Sequence, residues 1–247
     1  MTILILGGTA EARALAAELV ERGQPVLSSL AGRVSAPALP AGEVRIGGFG
    51  GVEGLRAYLV ARRIPTVVDA THPFAATMSQ HAQAATSVTG CRLLRLQRPG
   101  WADHPDADRW TWVDGAAAAL RAGPGAVRPF LTTGRQSLEQ FLPWADRRVL
   151  VRVVEAPTFA VPEPWGLIRS RGPYQRPAER RLMQQEAVDL LVTKDSGGAF
   201  TEAKLGAAAD LGVPVVVLSR PEPPVGVPTV STVAGALDWL AVAPGAR

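Results

Sequence analysis

Residues 2–11 read Thr2-Ile-Leu-Ile-Leu-Gly-Gly-Thr-Ala-Glu11, an apolar run that ends in two glycines and passes into apolar residues at helical spacing. This order predicts a buried strand, a tight glycine turn and a helix, as in the first unit of a doubly wound α/β sheet. Glycine at such a turn lets backbone N–H groups approach a phosphate at the helix N-terminus. The complete G-x-G-x-x-G pattern is absent, because Ala12 stands at the last glycine position. An ordinary strand–helix turn is therefore the alternative.

The alternation of apolar strands and helices continues to the end of the chain. We expect two doubly wound, Rossmann-like α/β domains with mainly parallel sheets and a cleft between them, because apolar strands each followed by a helix are typical of a parallel sheet covered on both faces. The stretch Ala122-Gly-Pro-Gly125 is the predicted linker, which places the domains at residues 1–125 and 126–247. In this division the strand at 110–113 completes the first domain, and the helix at 230–240 closes the second.

The composition excludes several classes of protein. The 247 residues include one cysteine, Cys91, and three histidines, so a disulfide framework and a cysteine-based metal site are excluded, and no metal is expected. The longest apolar runs are far shorter than the roughly 20 residues of a membrane-spanning helix. The first residues do not have the pattern of a secretory signal. We therefore expect a cytoplasmic protein without a membrane partner.

The basic residues indicate an anionic small molecule as ligand. Of the 26 basic residues only Lys194 and Lys204 are lysines, and the formal net charge is +4. Arginine carries a planar guanidinium that suits carboxylate and phosphate groups. Because the sequence has neither a block of basic residues nor an aromatic-rich RNA signature, we do not expect it to bind nucleic acid.

The end of the second predicted strand bears on the choice of cofactor. An NAD-binding domain usually places an acidic residue there, which holds the ribose 2′-hydroxyl. Here the sequence is Ser28-Ser-Leu-Ala-Gly-Arg33. A hydroxyl from Ser29 and a guanidinium from Arg33 suit a 2′-phosphate, which favours NADPH over NADH. The alternative is that Arg33 faces the solvent.

Polar side chains follow two further predicted strands. The stretch Asp69-Ala-Thr-His-Pro-Phe-Ala75 follows one, and Thr193-Lys-Asp-Ser-Gly-Gly198 includes the end of another. Ligands of open α/β sheets bind outside the carboxyl ends of the strands. Thr71 and His72 are therefore candidates for contact with cofactor or substrate, and Lys194 with its neighbours for an anion clamp. The alternative in both places is a set of residues that only shapes a strand–helix turn.

Seven short stretches of the chain form an ordered set. They are Gly7-Gly-Thr-Ala-Glu-Ala-Arg13, Ser29-Leu-Ala-Gly-Arg33, Gly47-Gly-Phe-Gly-Gly51, Asp69-Ala-Thr-His-Pro-Phe-Ala75, Thr132-Thr-Gly-Arg135, Ser170-Arg-Gly-Pro173 and Thr193-Lys-Asp-Ser-Gly-Gly198. Together, over nearly the whole chain, they resemble the precorrin-6A reductase family of cobalamin biosynthesis. The resemblance implies NADPH-dependent reduction of one carbon–carbon double bond of precorrin-6A, a tetrapyrrole with many carboxylates, to give precorrin-6B. It also implies two Rossmann-like domains with cofactor and substrate in the cleft between them.

The resemblance allows each candidate residue a role. The first glycine turn would contact the pyrophosphate, Ser29 and Arg33 the 2′-phosphate, and the second glycine cluster the adenine-side ribose. Thr71 and His72 would lie near the nicotinamide, and His72 or Lys194 would be the protein acid if the reaction requires one. The predicted cofactor-binding residues are Gly7, Gly8, Thr9, Ser29, Arg33, Gly48, Gly50, Gly51 and Thr71, and the predicted substrate-binding residues are Thr133, Arg135, Lys194, Asp195 and Ser196.

Two other functions stay open at this point. A different NADP-linked dehydrogenase would usually have a Tyr-x-x-x-Lys pair, but neither Tyr58 nor Tyr174 has a lysine four residues on. A dinucleotide- or nucleic-acid-binding module without enzymatic activity would use the arginines for phosphate, and steep salt dependence would reveal it. As a biosynthetic enzyme, the protein is also expected to make transient contacts with neighbouring enzymes of its pathway.

Overall fold

A computed structural model of the chain describes residues 1–32 and 38–242. The chain divides into two compact units. The first combines Met1–Pro99 with Pro221–Arg247, and the second is Gly100–Arg220. The second unit is therefore continuous in sequence and is inserted into the first.

The described residues form strands and helices in close alternation. The strands are β1 (Ile3–Leu6), β2 (Val26–Leu30), β3 (Glu43–Ile46), β4 (Thr66–Asp69), β5 (Arg92–Leu96), β6 (Thr111–Val113), β7 (Pro129–Leu131), β8 (Leu150–Val153), β9 (Gly166–Arg169), β10 (Leu190–Lys194), β11 (Val215–Leu218) and β12 (Thr229–Val230). The α-helices are α1 (Ala10–Glu21), α2 (Val52–Ala61), α3 (Ala76–Thr89), α4 (Gly115–Ala122), α5 (Arg176–Gln185), α6 (Ala203–Leu211) and α7 (Val233–Ala241). Two 3-10 helices span Ala107–Arg109 and Arg135–Trp144.

The sheet of the first unit has the strand order β3-β2-β1-β4-β5-β12, and every pair in it is parallel. This is the strand order of dinucleotide-binding Rossmann folds. Strands β1, β2 and β4 are buried along their whole length, since apolar side chains pack on both faces of the sheet. One face contributes to a core with α1 and α7, and the other to a core with α2 and α3.

The second unit repeats this plan in the order β9-β8-β7-β10-β11-β6, again with parallel pairs throughout. Its core lies around β7, β10 and β11 and includes side chains of α5 and α6. The predicted fold class, two α/β units with parallel sheets, is confirmed. None of the described helices combines the length and the apolar character needed to cross a membrane.

The predicted domain boundary at residue 125 is wrong. Strand β6, which was expected to complete the first domain, pairs with β11 of the second sheet. Strand β12 and α7, expected in the second domain, belong to the first, where β12 pairs with β5 and Ala236 and Leu237 of α7 join the core. The error has a simple cause: β6 has three residues and β12 two, and a short apolar run does not specify which sheet it joins.

Candidate active site

The first glycine turn lies at the carboxyl end of β1, where the strand order switches direction between β2 and β4. Ligands of open α/β sheets bind at such a switch point. Gly8 has a φ of 117°, a conformation that suits glycine, and a Cβ at this position would meet no atom within 4 Å. The backbone at Gly8 is therefore open to an approaching group.

Thr9 shapes this turn with its side chain. Its hydroxyl donates to the carbonyl of Ala70 at 2.8 Å and accepts from the backbone N–H of Ala12 at 3.1 Å, which caps α1. Because the hydroxyl has both partners inside the protein, Thr9 can offer a ligand its backbone N–H but not an unused hydroxyl. The pyrophosphate role predicted for Gly7, Gly8 and Thr9 stays a prediction.

Ser29, near the end of β2, is buried next to an arginine that is not among the predicted site residues. Arg45 of β3 donates from Nη1 to the Ser29 hydroxyl oxygen at 3.3 Å. Its guanidinium also donates to the carbonyls of Gly47 and Gly48. Strand pairing could have indicated Arg45, since it stands opposite Ser29 in the register of β2 and β3. Arg33 lies outside the described residues.

The second glycine cluster forms the turn from β3 into α2. Gly50 and Gly51 have φ values of 81° and 92°, and a Cβ at Gly48, Gly50 or Gly51 would meet nothing within 4 Å. The turn therefore presents open backbone at the same carboxyl edge of the sheet as the first glycine turn. This placement agrees with the predicted ribose contact, which stays a prediction.

A buried ion pair fixes the residues that follow β4. Arg95, 2% exposed, lies with Nη1 2.7 Å from an oxygen of Asp69. The Thr71 hydroxyl donates to Asp69 at 2.7 Å and accepts from Arg95 at 3.0 Å. Both hydrogen-bonding functions of that hydroxyl are therefore used within the fold, and Thr71 would contact a cofactor mainly through its methyl group or its backbone.

His72 begins the turn into α3. Its Nδ1 accepts from the backbone N–H of Phe74 at 3.2 Å, so in the neutral ring the proton is assigned to Nε2. His72 is thus a turn-forming residue, as one of the two interpretations of the sequence proposed. The ring is only partly buried, and its position beyond a strand end is also the one expected for contact with a ligand.

In the second unit, the turn after β7 occupies the place that the first glycine turn has after β1. Gly134 there has a φ of 80°. The hydroxyl of Thr133, a residue 2% exposed, has no hydrogen-bond partner among the described residues. A buried hydroxyl without a partner is costly and marks a position where a ligand can supply one. Arg135 follows and donates to the carbonyl of Ala156 at 3.4 Å.

Lys194, the last residue of β10, lies at the same carboxyl edge. Burial lowers the pKa of the Lys194 ammonium to about 8, because a low-dielectric surrounding disfavours the charged form. Beyond it, Ser196 closes a tight turn by donating its N–H to the Lys194 carbonyl at 2.7 Å. Gly197 and Gly198 then continue with positive φ values. The turn thus combines a lysine whose pKa is lowered with two glycines whose backbone lies in the left-handed region.

Asp195 has a structural role that the sequence did not indicate. One of its carboxylate oxygens accepts from the N–H of Trp101 at 2.9 Å, and the other lies 3.0 Å from Nε of Arg220. A Cβ at Gly100 would lie 2.4 Å from the carboxylate. The Asp195 side chain therefore holds the two ends of the second unit together, and its predicted substrate contact stays a prediction.

The predicted site residues thus form one group in each unit, at the carboxyl edge of each sheet. In the first unit these are Gly7, Gly8, Thr9, Ser29, Gly48, Gly50, Gly51, Thr71 and His72, and in the second Thr133, Arg135, Lys194, Asp195 and Ser196. In the described part of the chain, no three His, Cys, Asp or Glu side chains converge as they would around a metal ion.

Comparison with known proteins identifies the family. The precorrin-6x reductase CbiJ/CobK family matches residues 2–241. The chain belongs to this family. Its relatives include the precorrin-6A reductase of Mycobacterium tuberculosis, which is 49% identical over 98% of both chains, and that of Rhodococcus erythropolis, 45% identical over 96% of both chains. The solved structure of a CobK precorrin-6A reductase is 41% identical, with a TM-score of 0.90 over 98% of this chain and 96% of that one.

Other relatives of the chain carry a second name. The cobalt-precorrin-6A reductase of Priestia megaterium is 28% identical over 89% of this chain and 91% of its own. That of Salmonella typhimurium is 30% identical over 90% of this chain and 88% of its own. The chain is thus more similar to the relatives named without cobalt.

Proposed function

We propose that the chain uses NADPH to reduce one carbon–carbon double bond of precorrin-6A, the reaction for which its family is named, in cobalamin biosynthesis. The observation that carries the proposal is the family match over residues 2–241, which includes both strand-end groups of candidate residues. The product would be precorrin-6B.

The residues of the first unit fit a phosphorylated dinucleotide. Gly8, Gly48 and Gly50 present backbone where a Cβ would enter open space, and the carboxyl edge of β1 is the place where Rossmann folds bind a pyrophosphate. NADPH, when bound, supplies the hydride that the reduction requires. Gly7, Gly8 and the Thr9 N–H would hold the pyrophosphate, and Ser29 and Arg33 the 2′-phosphate.

The second unit would bind the substrate. Its carboxyl edge carries the cations of Arg135 and Lys194 and the buried hydroxyl of Thr133, which has no partner among the described residues. A tetrapyrrole with many carboxylates would supply acceptors for these groups. Because the side chain of Asp195 is engaged with Trp101 and Arg220, we assign substrate contact in this turn to Lys194 and Ser196.

Reduction of a double bond adds a proton as well as a hydride. Lys194, with a pKa of about 8, carries that proton on Nζ at neutral pH and releases it more readily than an ordinary lysine. Lys194 is therefore the favoured acid, and His72, which would donate from Nε2, is the second candidate.

The metal-free macrocycle is the favoured substrate, because relatives named precorrin-6A reductase are 40–49% identical and those named for the cobalt form 28–30% identical. The cytoplasmic location and the transient contacts with neighbouring enzymes stay predictions.

The purified chain with NADPH and metal-free precorrin-6A tests the proposal directly. We expect the absorbance of the reduced nicotinamide to disappear only when both compounds are present, with one product two mass units heavier than the substrate. Parallel reactions with NADH and with cobalt-precorrin-6A determine the preferences for cofactor and metal. Oxidation of NADPH without a reduced macrocycle, or no oxidation at all with intact folded protein, would contradict the proposal.

A further inference from the structure

Arg45 is held rigidly between the ends of two strands. It stands opposite Ser29 in the pairing of β2 with β3. Its Nη1 donates to the Ser29 hydroxyl at 3.3 Å, and its Nη2 donates to the carbonyl of Gly48 at 2.7 Å. The guanidinium carbon lies 4.0 Å from the centre of the Phe49 ring. These contacts fix both the plane and the direction of the guanidinium.

The charge of Arg45 has no counterion among the described residues, where no carboxylate lies within salt-bridge distance of it. The neighbouring acid on the same strand, Glu43, is paired with Arg62 at 2.7 Å. Three hydrogen bonds to neutral oxygens leave the N–H of Nε and one N–H of Nη2 without an acceptor among residues 1–32 and 38–242. A partly buried guanidinium in this state is suited to bind an anion.

The location of Arg45 identifies which anion. In a Rossmann fold the end of the second strand faces the adenine-side ribose, and Ser29 lies at that end, next to the first glycine turn, where the Gly7 N–H donates to the Ser29 carbonyl at 2.9 Å. The residues from Ser28 to Gly32 include no acid that would favour an unphosphorylated ribose.

We propose that Arg45 is a specificity-determining residue that binds the 2′-phosphate of NADPH beside Ser29. The inference rests on the proposed function and goes beyond it, since it assigns cofactor selection to a strand residue that also holds the second glycine turn. A guanidinium with fixed orientation loses little entropy when it binds a phosphate, which strengthens the selection.

Calorimetric titration of Arg45→Leu and wild-type protein with NADPH, NADH, adenosine 2′,5′-bisphosphate and 5′-AMP tests this inference without turnover. We expect the variant to bind NADPH and the bisphosphate about 10- to 100-fold more weakly, and NADH and 5′-AMP within about 3-fold of wild type. Arg62→Leu is the matched control, because it removes an exposed arginine that pairs with Glu43 at the start of β3, away from the glycine turns, and it should leave all four affinities unchanged.

The outcomes separate a binding role from a structural one. Equal weakening of NADPH and NADH by Arg45→Leu would mean that Arg45 only holds the 47–51 turn, and an unchanged preference would mean that it has no part in selection. Either result overturns the inference while the proposed function stands. If wild-type protein binds neither dinucleotide, the proposed cofactor itself is wrong. Arg45→Gln keeps a donor for the turn without the charge, and it gives the same test if the leucine variant does not fold.

Discussion

At the scale of single residues, the hydroxyl and carboxylate groups of the site divide into those the fold uses and those it does not. The hydroxyls of Thr9 and Thr71 and the carboxylate of Asp195 are each hydrogen-bonded inside their own unit. The hydroxyl of Thr133 is buried without a described partner. This division distinguishes residues that shape a turn from residues that remain available to a ligand.

Lys194 gives the sharpest prediction at this scale. If its ammonium donates the proton, kcat falls as pH rises through about 8, where the group loses that proton. Lys194→Met should reduce kcat by about 100-fold or more and remove this limb of the pH profile. The measurement is steady-state turnover of precorrin-6A between about pH 6 and pH 10.

Lys194→Arg separates the proton from the charge. Arginine keeps a cation for substrate carboxylates but does not release a proton in this range, so KM should stay near the wild-type value while kcat stays low. Wild-type kcat in the arginine variant would show that Lys194 serves as a cation only, and would transfer the acid role to His72 or to solvent.

The sequence predicted the positions of these residues better than their roles. Glycine turns, strand ends and the rare lysine are visible in a sequence, because they depend on local order. The occupation of a side chain by distant partners is not visible: Asp195 meets Arg220, and Asp69 meets Arg95, only after the strands are aligned. Arg45 was not predicted as a site residue for the same reason, since its partner Ser29 lies on another strand.

At the scale of elements, strands and helices were predicted well because each has a strong apolar pattern. The strand, glycine turn and helix predicted from residues 2–11 are β1, the turn at Gly7 and Gly8, and α1 (Ala10–Glu21). The segment after β7 forms a 3-10 helix that contains Pro143. Proline has no N–H to donate to a helical hydrogen bond. The apolar pattern of this segment does not distinguish an α-helix from a 3-10 helix.

The helix α6 carries a buried charge that makes stability depend on pH. Lys204 is 4% exposed, its Nζ donates to the carbonyl of Thr201 at 2.6 Å, and burial lowers its pKa from the ordinary 10.5 to about 7. Nearby, Arg152 and Glu179 form a buried pair at 2.7 Å. Burial of a protonated Lys204 costs free energy, whereas the neutral amine can be buried more readily.

The sign of the effect follows from proton binding. Below about pH 7 Lys204 is protonated in both states, and the cost of burying its charge is present in full. Between that pH and the ordinary pKa, the unfolded chain binds more protons, so the free energy of unfolding rises with pH, by at most about 1.4 kcal/mol per pH unit. Lys194 adds a similar contribution from about pH 8 upward.

Urea unfolding at about pH 6.5 and pH 8.5 measures this dependence. We expect wild-type protein to gain about 1–2 kcal/mol between the two conditions, and Lys204→Met to show a clearly smaller gain. Lys194→Met is the matched comparison, since the lysine that it removes has a pKa of about 8 rather than about 7. An equal gain in wild type and Lys204→Met would show that Lys204 is not the group responsible.

At the scale of the whole molecule, the order of the chain makes the two units unequal. The first unit depends on β12 and α7, which follow the second unit in sequence. Ala236 and Leu237 complete its core, and Arg92 donates to the carbonyl of Trp239 at 3.0 Å. The second unit is one continuous segment.

This inequality predicts different behaviour of the two segments in isolation. Residues 100–220 alone should unfold cooperatively in urea, because every strand of their sheet is present. Residues 1–99 alone should not, because they lack the outer strand and a helix that covers one face of the core. Circular dichroism with urea titration checks both segments. Cooperative unfolding of residues 1–99 alone would show that the first unit does not need β12 and α7.

The bonds of Asp195 help to explain how the second unit can be an insertion within the first. By binding Trp101 and Arg220 at once, Asp195 brings the beginning and the end of the second unit next to each other. A domain whose termini are adjacent can be inserted into a surface loop of another protein without distorting the fold of that protein. Residues 100–220 therefore have the adjacent termini that an inserted domain requires, and Asp195 binds a residue at each end.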